Sequence, residues 1–288
     1  WRKESSEMQQ IKLHEFEKSE SKARKIAFTI AKGGQLKTTS VTNIIGAILK
    51  DDSLENARIC VIDLDAQANV FVAFGLNADQ LAKGQDLSAA LLDGDVENTV
   101  FEIYRMSENR YVHSITANEH CDLLEMILVN RANEFSDITQ LLNNLVKKLE
   151  HYYDYIIFDT APAYSILISN VLCVEDIEIY VPYEADTYSV RSVAKSIKSF
   201  EVFKKRNESA KFGGVFATKV KKNTNVHQTL IVQTRTFVEM SNKKYLNTEI
   251  KSSVKAASSI LYNAIPSTLS KKKSEIADDY IKLWEEIK

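Results

Sequence analysis

The chain has 288 residues, of which 44% are hydrophobic and 26% are charged, and its formal net charge at pH 7 is −2. This length allows one large domain with a substantial core, and the nearly balanced charge excludes a uniformly basic nucleic-acid binder, so any nucleic-acid surface must be a local patch. No apolar run approaches the ~18 residues of a membrane span, and no signal peptide is visible. Three widely separated cysteines, Cys60, Cys121 and Cys173, predict reduced thiols in a cytoplasmic protein.

Apolar segments alternate with helical patterns along most of the chain. Residues 1–24 are polar, carry mixed charge and predict a loose arm or a short helix. Strands are predicted at residues 25–31, 57–64, 155–159, 177–182, 212–219 and 262–266. Helices are predicted at residues 41–50, 137–151, 189–207, 226–241 and 274–288. Residues 80–125 are expected to form helices or an edge region outside the central sheet.

This alternation predicts an α/β fold, in which a doubly wound, mostly parallel sheet carries helices on both of its faces. The strands are nearly continuous apolar runs, as in sheets that are buried on both sides. No internal repeat or low-complexity linker divides the chain, so residues 25–288 are predicted to form one domain that follows the arm. Because the first residue is Trp1 instead of Met, we expect the sequence to be a trimmed or processed form of a longer chain.

The segment after the first predicted strand has the layout of a phosphate-binding loop. Residues 32–39 read KGGQLKTT and lead into a predicted helix. In such loops, backbone N–H groups and a helix N-terminus supply partial positive charge, a lysine reaches the phosphates and a hydroxyl binds Mg²⁺. Ala31 and Leu36 occupy the two positions that are glycine in the general pattern G-x-x-x-x-G-K-[ST]. The bare pattern therefore leaves the nucleotide site open.

Aspartates follow two later predicted strands. Asp63 and Asp65 lie at the end of the strand at 57–64, and Asp159 ends the strand at 155–159. A carboxylate opposite a phosphate loop can hold Mg²⁺ or its waters and position an attacking water. A single aspartate at a strand end is usually a helix cap or a turn former. Two such positions after a Lys-Thr-Thr loop favour the functional interpretation.

At these three segments the sequence resembles the ParA/MinD family of ATPases. Residues 32–39 resemble its deviant Walker A box, K-G-G-x-G-K-[ST]-[ST], and residues 61–69 (VIDLDAQAN) resemble the ParA switch segment D-x-D-P-Q-G-N. Residues 154–162 (DYIIFDTAP), together with Asn170, resemble the third family segment. The resemblance covers roughly residues 25–288 and is closest to the ParA/Soj partition ATPases. It implies a fold like that of the P-loop NTPases.

The resemblance implies a role for each matching residue. Lys32 would reach the phosphates of a partner across an ATP-sandwich dimer, Lys37 would bind the β- and γ-phosphates, and Asp65 would position or activate the hydrolytic water. Mg²⁺ would be held by Thr38, with support from Asp63 and with Asp159 in its outer coordination sphere. The nucleotide would contact Gly33, Gly34, Gln35, Leu36, Lys37, Thr38, Thr39, Thr218 and Lys219.

Three residues depart from the family pattern. Leu36 replaces the glycine before the catalytic lysine, a position that often needs φ > 0 and then costs an L-residue roughly 1–2 kcal/mol. Ala66 and Ala68 replace the proline and the glycine that shape the switch segment. Two alternatives follow: a partition ATPase, or a nucleotide-gated DNA binder that hydrolyses ATP weakly or not at all.

The resemblance also implies partners and a location. An ATP-bound homodimer would bind DNA non-specifically, a ParB-like adaptor would stimulate hydrolysis, and the protein would be cytoplasmic and associated with the nucleoid. The candidate DNA-binding residues are Lys198, Lys204, Lys205, Arg206, Lys221, Lys222, Lys251 and Lys255, with Lys195 and Lys219 beside them.

Two other uses of this loop type are less favoured. A MinD-like membrane ATPase needs a basic amphipathic C-terminal helix, whereas the predicted helix at 274–288 carries Asp278, Asp279, Glu285 and Glu286. No interaction with a membrane is therefore expected. A bacterial tyrosine kinase usually ends in a tyrosine cluster, whereas the last residues of this sequence, DDYIKLWEEIK, contain one tyrosine.

Overall fold

The apolar runs of the sequence pair into one central sheet in the computed structural model, which describes residues 8–30, 32–161, 165–221, 225–252 and 265–288. Within these ranges the strands are β1 (Gln9–Gln10), β2 (Arg24–Phe28), β3 (Ala57–Asp63), β4 (Phe101–Ser107), β5 (Arg110–Thr116), β6 (Tyr155–Asp159), β7 (Ile177–Glu184) and β8 (Lys211–Thr218). Their order across the sheet is β1-β4-β5-β3-β6-β2-β7-β8. The six strands from β5 to β8 in this order run parallel, and β4 is antiparallel to both β1 and β5.

Helices cover both faces of this sheet. They are α1 (Lys37–Leu49), α2 (Asn69–Ala73), α3 (Leu87–Leu92), α4 (Leu124–Asn130), α5 (Leu141–Leu149), α6 (Ile166–Leu172), α7 (Ser189–Lys204), α8 (Asn225–Met240) and α9 (Glu275–Ile287). The sheet separates two apolar cores: one contains Ile156 of β6 and residues of α3 and α5 to α7, and the other contains Ile157 and residues of α1, α2 and α9. The predicted doubly wound α/β fold is confirmed.

The expectation that residues 80–125 lie outside the sheet is wrong. The helix α3 lies in this region, but β4 and β5 form a hairpin, and β5 pairs in parallel with β3 over its whole length. Sequence reasoning missed β5 because Arg110, His113 and Ser114 interrupt its apolar pattern. Its turn also lacks the glycine that marks many hairpins.

Other predictions differ mainly at element ends. The first helix begins at Lys37, four residues earlier than expected, so the phosphate loop leads directly into it. The predicted strand at 262–266 falls mostly outside the described residues, and Ile265 and Pro266 lie in a loop. Residues 8–23 pack against the sheet through β1 and through the buried side chains of Ile11 and Leu13. The division into an arm and one domain stays a prediction.

The C-terminal helix α9 is part of the core. Its Tyr280, Leu283 and Trp284 are buried against the layer that contains α1. Tyr280 Oη lies 3.0 Å from Ser40 Oγ, one residue after Thr39 of the phosphate loop segment. Among the helices in the described ranges, none combines the length and the apolar character that crossing a membrane requires. The apolar face of α9 is therefore used for packing on α1.

Candidate functional site

The loop between β2 and α1 has the backbone geometry of an anion-binding turn. Gly34 has φ 72°, and Leu36 has φ 59° and ψ 31°, so both residues lie in the left-handed region. The positive φ expected at Leu36 is confirmed, and it costs a leucine about 1–2 kcal/mol that a glycine avoids. Leu36 precedes α1 and offers no side-chain cap, so the N–H groups of the first helical turn are available to an anion.

A cavity of about 480 Å³ opens beside this loop, a size typical of small-molecule sites. The predicted site residues that line it are Gly34, Gln35, Leu36, Lys37, Thr38, Thr39, Asp65 and Lys219. The lining residues that sequence reasoning missed are Thr42, Asn69, Val72, Ala73 and Thr160. Thr42 lies one helical turn after Thr38, and that spacing is a signal that could have identified it. Nothing in the sequence pattern indicates that Val72 faces a cavity.

Lys37 is the only lysine at the start of α1, and its side chain is almost fully enclosed. Its relative exposure is 7%. Burial lowers the pKa of its ammonium group, while the nearby carboxylates of Asp159 and Asp65 raise it. A dehydrated cation is costly without an anionic partner. The position of Lys37 in the cavity wall therefore suits it to bind a negatively charged ligand such as a phosphate.

Asp63 and Asp159 form a pair of buried carboxyl groups at the carboxyl ends of β3 and β6. The two residues are direct neighbours in the register of these strands, and neither is exposed. Burial raises the pKa of Asp159 to about 7, and Asp65 adds to the rise, while the Thr38 side chain and the Lys37 ammonium oppose it. Burial and the charge of Asp159 also raise the pKa of Asp63. The pair therefore favours any cation that enters the site.

The oxygen atoms near this pair fit a magnesium ion. Neither carboxylate oxygen of Asp159 has a hydrogen-bond partner among the described residues, and the Thr38 hydroxyl is close enough to influence its pKa. Mg²⁺ prefers oxygen ligands and is usually held by one or two carboxylates together with phosphates and waters. Within the described ranges, no group of three or more His, Cys, Asp or Glu side chains forms a metal site.

Asp63 also shapes the segment that carries Asp65. Its Oδ1 accepts a hydrogen bond from the Asp65 N–H at 3.0 Å, and its Oδ2 accepts one from the Val70 N–H at 3.1 Å. Asp65 in turn accepts a hydrogen bond from the Gln67 N–H at 3.1 Å. Ala68 has φ 49°, a left-handed conformation that suits the glycine of the family pattern. These contacts hold the Asp65 side chain in the cavity wall.

Lys32 does not line the cavity. Its Nζ forms an ion pair with the Asp186 carboxylate, just beyond the end of β7. The Lys32 Nζ also lies 6.0 Å from the centre of the Tyr188 ring. In a single chain, Lys32 is therefore directed to the start of α7.

The remaining predicted nucleotide contacts are held by the end of β7. Lys219 Nζ lies 3.0 Å from a carboxylate oxygen of Glu184, and the buried Gln35 amide oxygen accepts a hydrogen bond from the Glu184 N–H. Thr218 is buried and donates its hydroxyl proton to the Tyr183 carbonyl at 3.1 Å. Thr218 and the exposed Gly33 do not line the cavity. The structure brings Lys219 and Gln35 to the site but leaves the Thr218 hydroxyl turned into the sheet.

The candidate DNA-binding residues that the structure describes fall into two groups. Lys195, Lys198, Lys205 and Lys221 are exposed. Lys222 and Lys255 lie outside the described residues. Lys195 and Lys198 are three residues apart on α7 and share its solvent face. They form the accessible part of the predicted basic strip.

The other members of this set have local partners. Lys204 donates to the Ala210 carbonyl at 2.5 Å. Arg206 lies 3.0 Å from Asp137, and Lys251 lies 3.2 Å from the buried carboxylate of Asp279. The carboxylates of Asp137 and Asp279 offset the charge that Arg206 and Lys251 can offer to a polyanion.

Comparison with known proteins identifies a family and several relatives of this chain. A family model described as AAA domain (AAA_31) matches residues 23–212. A ParA family protein of Mycoplasma genitalium is 26% identical over 266 residues, which cover 91% of this chain and 96% of that protein.

Two solved structures have the same fold. A putative plasmid partition protein from Borrelia burgdorferi B31, bound to AMPPNP, has a TM-score of 0.66 and 22% identity and covers 92% of this chain and 97% of its own. Cobyrinic acid a,c-diamide synthase from Mycobacterium smegmatis, with a bound ATP analog and magnesium, has a TM-score of 0.71 and 20% identity. The match covers 91% of this chain and 93% of the synthase.

Proposed function

The chain belongs to the AAA_31 family of AAA domains, and from this premise we propose that it is a ParA-like partition ATPase that binds and hydrolyses ATP with Mg²⁺. The observation that carries the proposal is the cavity that Lys37, Thr38 and Asp65 line together beside a left-handed phosphate loop. The partition assignment is supported by the similarity to a ParA family protein and to a plasmid partition protein. Residues 25–288 act as one ATPase domain that follows the arm at 1–24.

The phosphates of ATP lie against the N-terminus of α1. Lys37 binds the β- and γ-phosphates, and the N–H groups between Gly34 and Thr39 surround them. Thr38 would hold Mg²⁺, with support from Asp63 and with Asp159 in its outer coordination sphere, and the ion would supply charge that neutralises the phosphates. Lys219 closes the cavity on the side of β8.

Hydrolysis depends on Asp65. Asp65 lines the cavity, its carboxylate accepts a hydrogen bond from the Gln67 N–H at 3.1 Å, and its backbone N–H donates to Asp63 at 3.0 Å. Asp65 orients the attacking water and accepts its proton. Lys32 of a second chain completes the charge around the phosphates, so ATP binding favours a homodimer.

The dimer binds DNA through its exposed lysines. Lys195 and Lys198 on α7 lie on one solvent-exposed face, and Lys205 and Lys221 add to this set. Such contacts are non-specific and depend on salt, because they release counterions from the phosphate backbone. A ParB-like adaptor stimulates hydrolysis and returns the protein to monomers. The protein acts in the cytoplasm, on the nucleoid.

A second candidate function is a nucleotide-gated DNA binder with little hydrolysis. It is favoured by the left-handed conformations of Leu36 and Ala68, two positions where the family pattern has glycine. A leucine at the phosphate loop places a bulky side chain in the cavity wall. The two candidate functions differ only in the rate of ATP hydrolysis. In both of them the cavity must bind ATP.

The test is nucleotide binding followed by turnover. Calorimetric titration with ATP and Mg²⁺ should give a weaker affinity for Lys37→Ala than for the unchanged protein. The exposed Lys83, which does not line the cavity, provides the matched control Lys83→Ala. Equal affinity of Lys37→Ala and the unchanged protein would contradict the site. Phosphate release with and without DNA then separates the partition ATPase from the binder that does not turn over.

A further inference from the structure

Lys32 and Asp186 form an ion pair near the cavity. This pair has no part in the proposed hydrolysis within one chain. Lys32 stands at the first residue of the phosphate loop, and its ammonium group is paired with Asp186. The two side chains are 35% and 31% exposed, so the pair is open to solvent and can separate. The proposed function requires Lys32 in a different place, on the phosphates of a second chain. The Lys32–Asp186 pair and the dimer therefore compete for the same cation.

Asp186 is the fixed member of this pair. Its Oδ1 accepts a hydrogen bond from the Tyr188 N–H at 2.8 Å. Its carbonyl oxygen accepts from the Ser189 N–H at 3.0 Å and from the Ser189 hydroxyl at 2.7 Å. Ser189 begins α7, so Asp186 is built into the start of this helix. Lys32 has a long flexible side chain. When the pair separates, the Lys32 side chain therefore moves while Asp186 stays in place.

A second ion pair two residues earlier has a different character. Glu184 pairs with Lys219, which lines the cavity and faces the nucleotide of its own chain. Asp186 pairs with a lysine outside the cavity wall. Glu184 thus pairs with a lysine that faces the nucleotide of its own chain, whereas Asp186 pairs with a lysine that can bind the nucleotide of a partner chain.

From this arrangement we infer that Asp186 is a positioning residue that retains Lys32 within its own chain and so opposes dimerisation until ATP is bound. The inference rests on the proposed function and names a regulator of its dimer. Two pairs must open for each dimer that forms, one in each chain. The γ-phosphate supplies a stronger anionic partner for Lys32 than the solvent-exposed carboxylate does.

The test compares dimerisation of Asp186→Asn with that of the unchanged protein at saturating AMPPNP and Mg²⁺, measured by analytical ultracentrifugation. Asparagine keeps an oxygen that can accept from the Tyr188 N–H but loses the charge that holds Lys32. Since two partly exposed pairs are released for each dimer, the dimer dissociation constant should fall by about 2- to 30-fold. The affinity of the monomer for ADP should not change.

Two controls separate this role from a structural one. Glu201→Gln removes the carboxylate of a different ion pair on α7, formed with Lys243 away from the cavity, and leaves the Lys32 pair intact, so the dissociation constant at saturating AMPPNP should match that of the unchanged protein. In a Lys32→Ala background, Asp186→Asn should give no gain in dimerisation, because no lysine is left to release.

Three results would overturn the inference. If the unchanged protein dimerises and Asp186→Asn dimerises equally or less, the inference is wrong and the proposed function stands. If Asp186→Asn still strengthens dimerisation in the Lys32→Ala background, the substitution acts through the start of α7 and not through Lys32. If the unchanged protein does not dimerise with AMPPNP, the proposed function fails and the inference fails with it.

Discussion

Asp63 and Asp159 end two neighbouring parallel strands in direct register, and both of their side chains are fully buried. The carboxyl ends of β3 and β6 thus bring two acidic groups together next to Lys37 and Thr38. Burial raises the pKa of both carboxyl groups, and the charge of Asp159 raises the pKa of Asp63 further. The arrangement costs stability without a cation and favours the binding of one.

This relationship predicts a pH-dependent stability. The folded pKa of Asp159 is about 7, above its ordinary value of 3.8, so between about pH 4 and pH 7 the folded state binds more protons than the unfolded state. The free energy of unfolding of the nucleotide-free protein should therefore fall as pH rises through this window, by up to ~1.4 kcal/mol per pH unit, and level off above it.

Asp159→Asn should flatten this profile and weaken Mg²⁺-dependent nucleotide binding. Urea unfolding between pH 4.5 and pH 8 measures the first effect, and ATP titration with and without Mg²⁺ measures the second. The exposed Asp52 gives a surface control, since Asp52→Asn should keep the profile of the unchanged protein. An unchanged slope in Asp159→Asn would show that this carboxyl does not titrate in the window.

Leu36→Gly should raise ATP turnover. Glycine adopts the left-handed conformation without the ~1–2 kcal/mol cost to a leucine, and it removes bulk from the cavity. If relief of this strain is realised in the transition state, turnover rises by about tenfold, which corresponds to ~1.4 kcal/mol. Steady-state phosphate release measures the change.

A matched backbone control is available for this substitution. Asn242 has φ 54° in the turn that follows α8, so Asn242→Gly changes the same backbone region away from the cavity and should leave turnover unchanged. An equal rate in Leu36→Gly and the unchanged protein would mean that Leu36 does not limit hydrolysis.

Asp65→Asn should separate binding from hydrolysis. The amide keeps the shape of the carboxylate but cannot take a proton, so kcat should fall by about 10²- to 10⁴-fold. ATP affinity should remain within a few-fold of the unchanged protein, because Lys37 and the loop N–H groups are intact. Single-turnover hydrolysis together with ATP titration provides both values, and a kcat reduced less than tenfold would remove Asp65 from its proposed role.

Lys198→Ala should weaken DNA binding more than Lys251→Ala. Lys198 is exposed on α7, whereas Lys251 is neutralised by Asp279 at 3.2 Å. Loss of one phosphate contact should reduce the slope of log K against log salt by about 1 for Lys198→Ala. Titration of duplex DNA at several salt concentrations, with saturating AMPPNP, measures both slopes. Equal slopes for the two variants would place the DNA-binding surface away from α7.

The sequence by itself determined five of the six parallel strands of the sheet and the segments that carry the site. The runs at β2, β3, β6, β7 and β8 are apolar because these strands are covered on both faces, so their pattern is visible locally. The phosphate loop and the aspartates that end β3 and β6 are also visible in short segments of the sequence. Parallel strands bring their carboxyl ends to one edge of the sheet, so these segments were expected to meet there.

Only the tertiary structure decided which charges are free. Lys32 and Lys251 look like free cations in the sequence, but Asp186 and Asp279, which are distant along the chain, pair with them. The hairpin β4–β5 was hidden for a related reason: β5 is stabilised by pairing with β3, and polar residues interrupt its apolar pattern. Contacts between distant residues depend on how the whole chain packs, and no short segment contains that information.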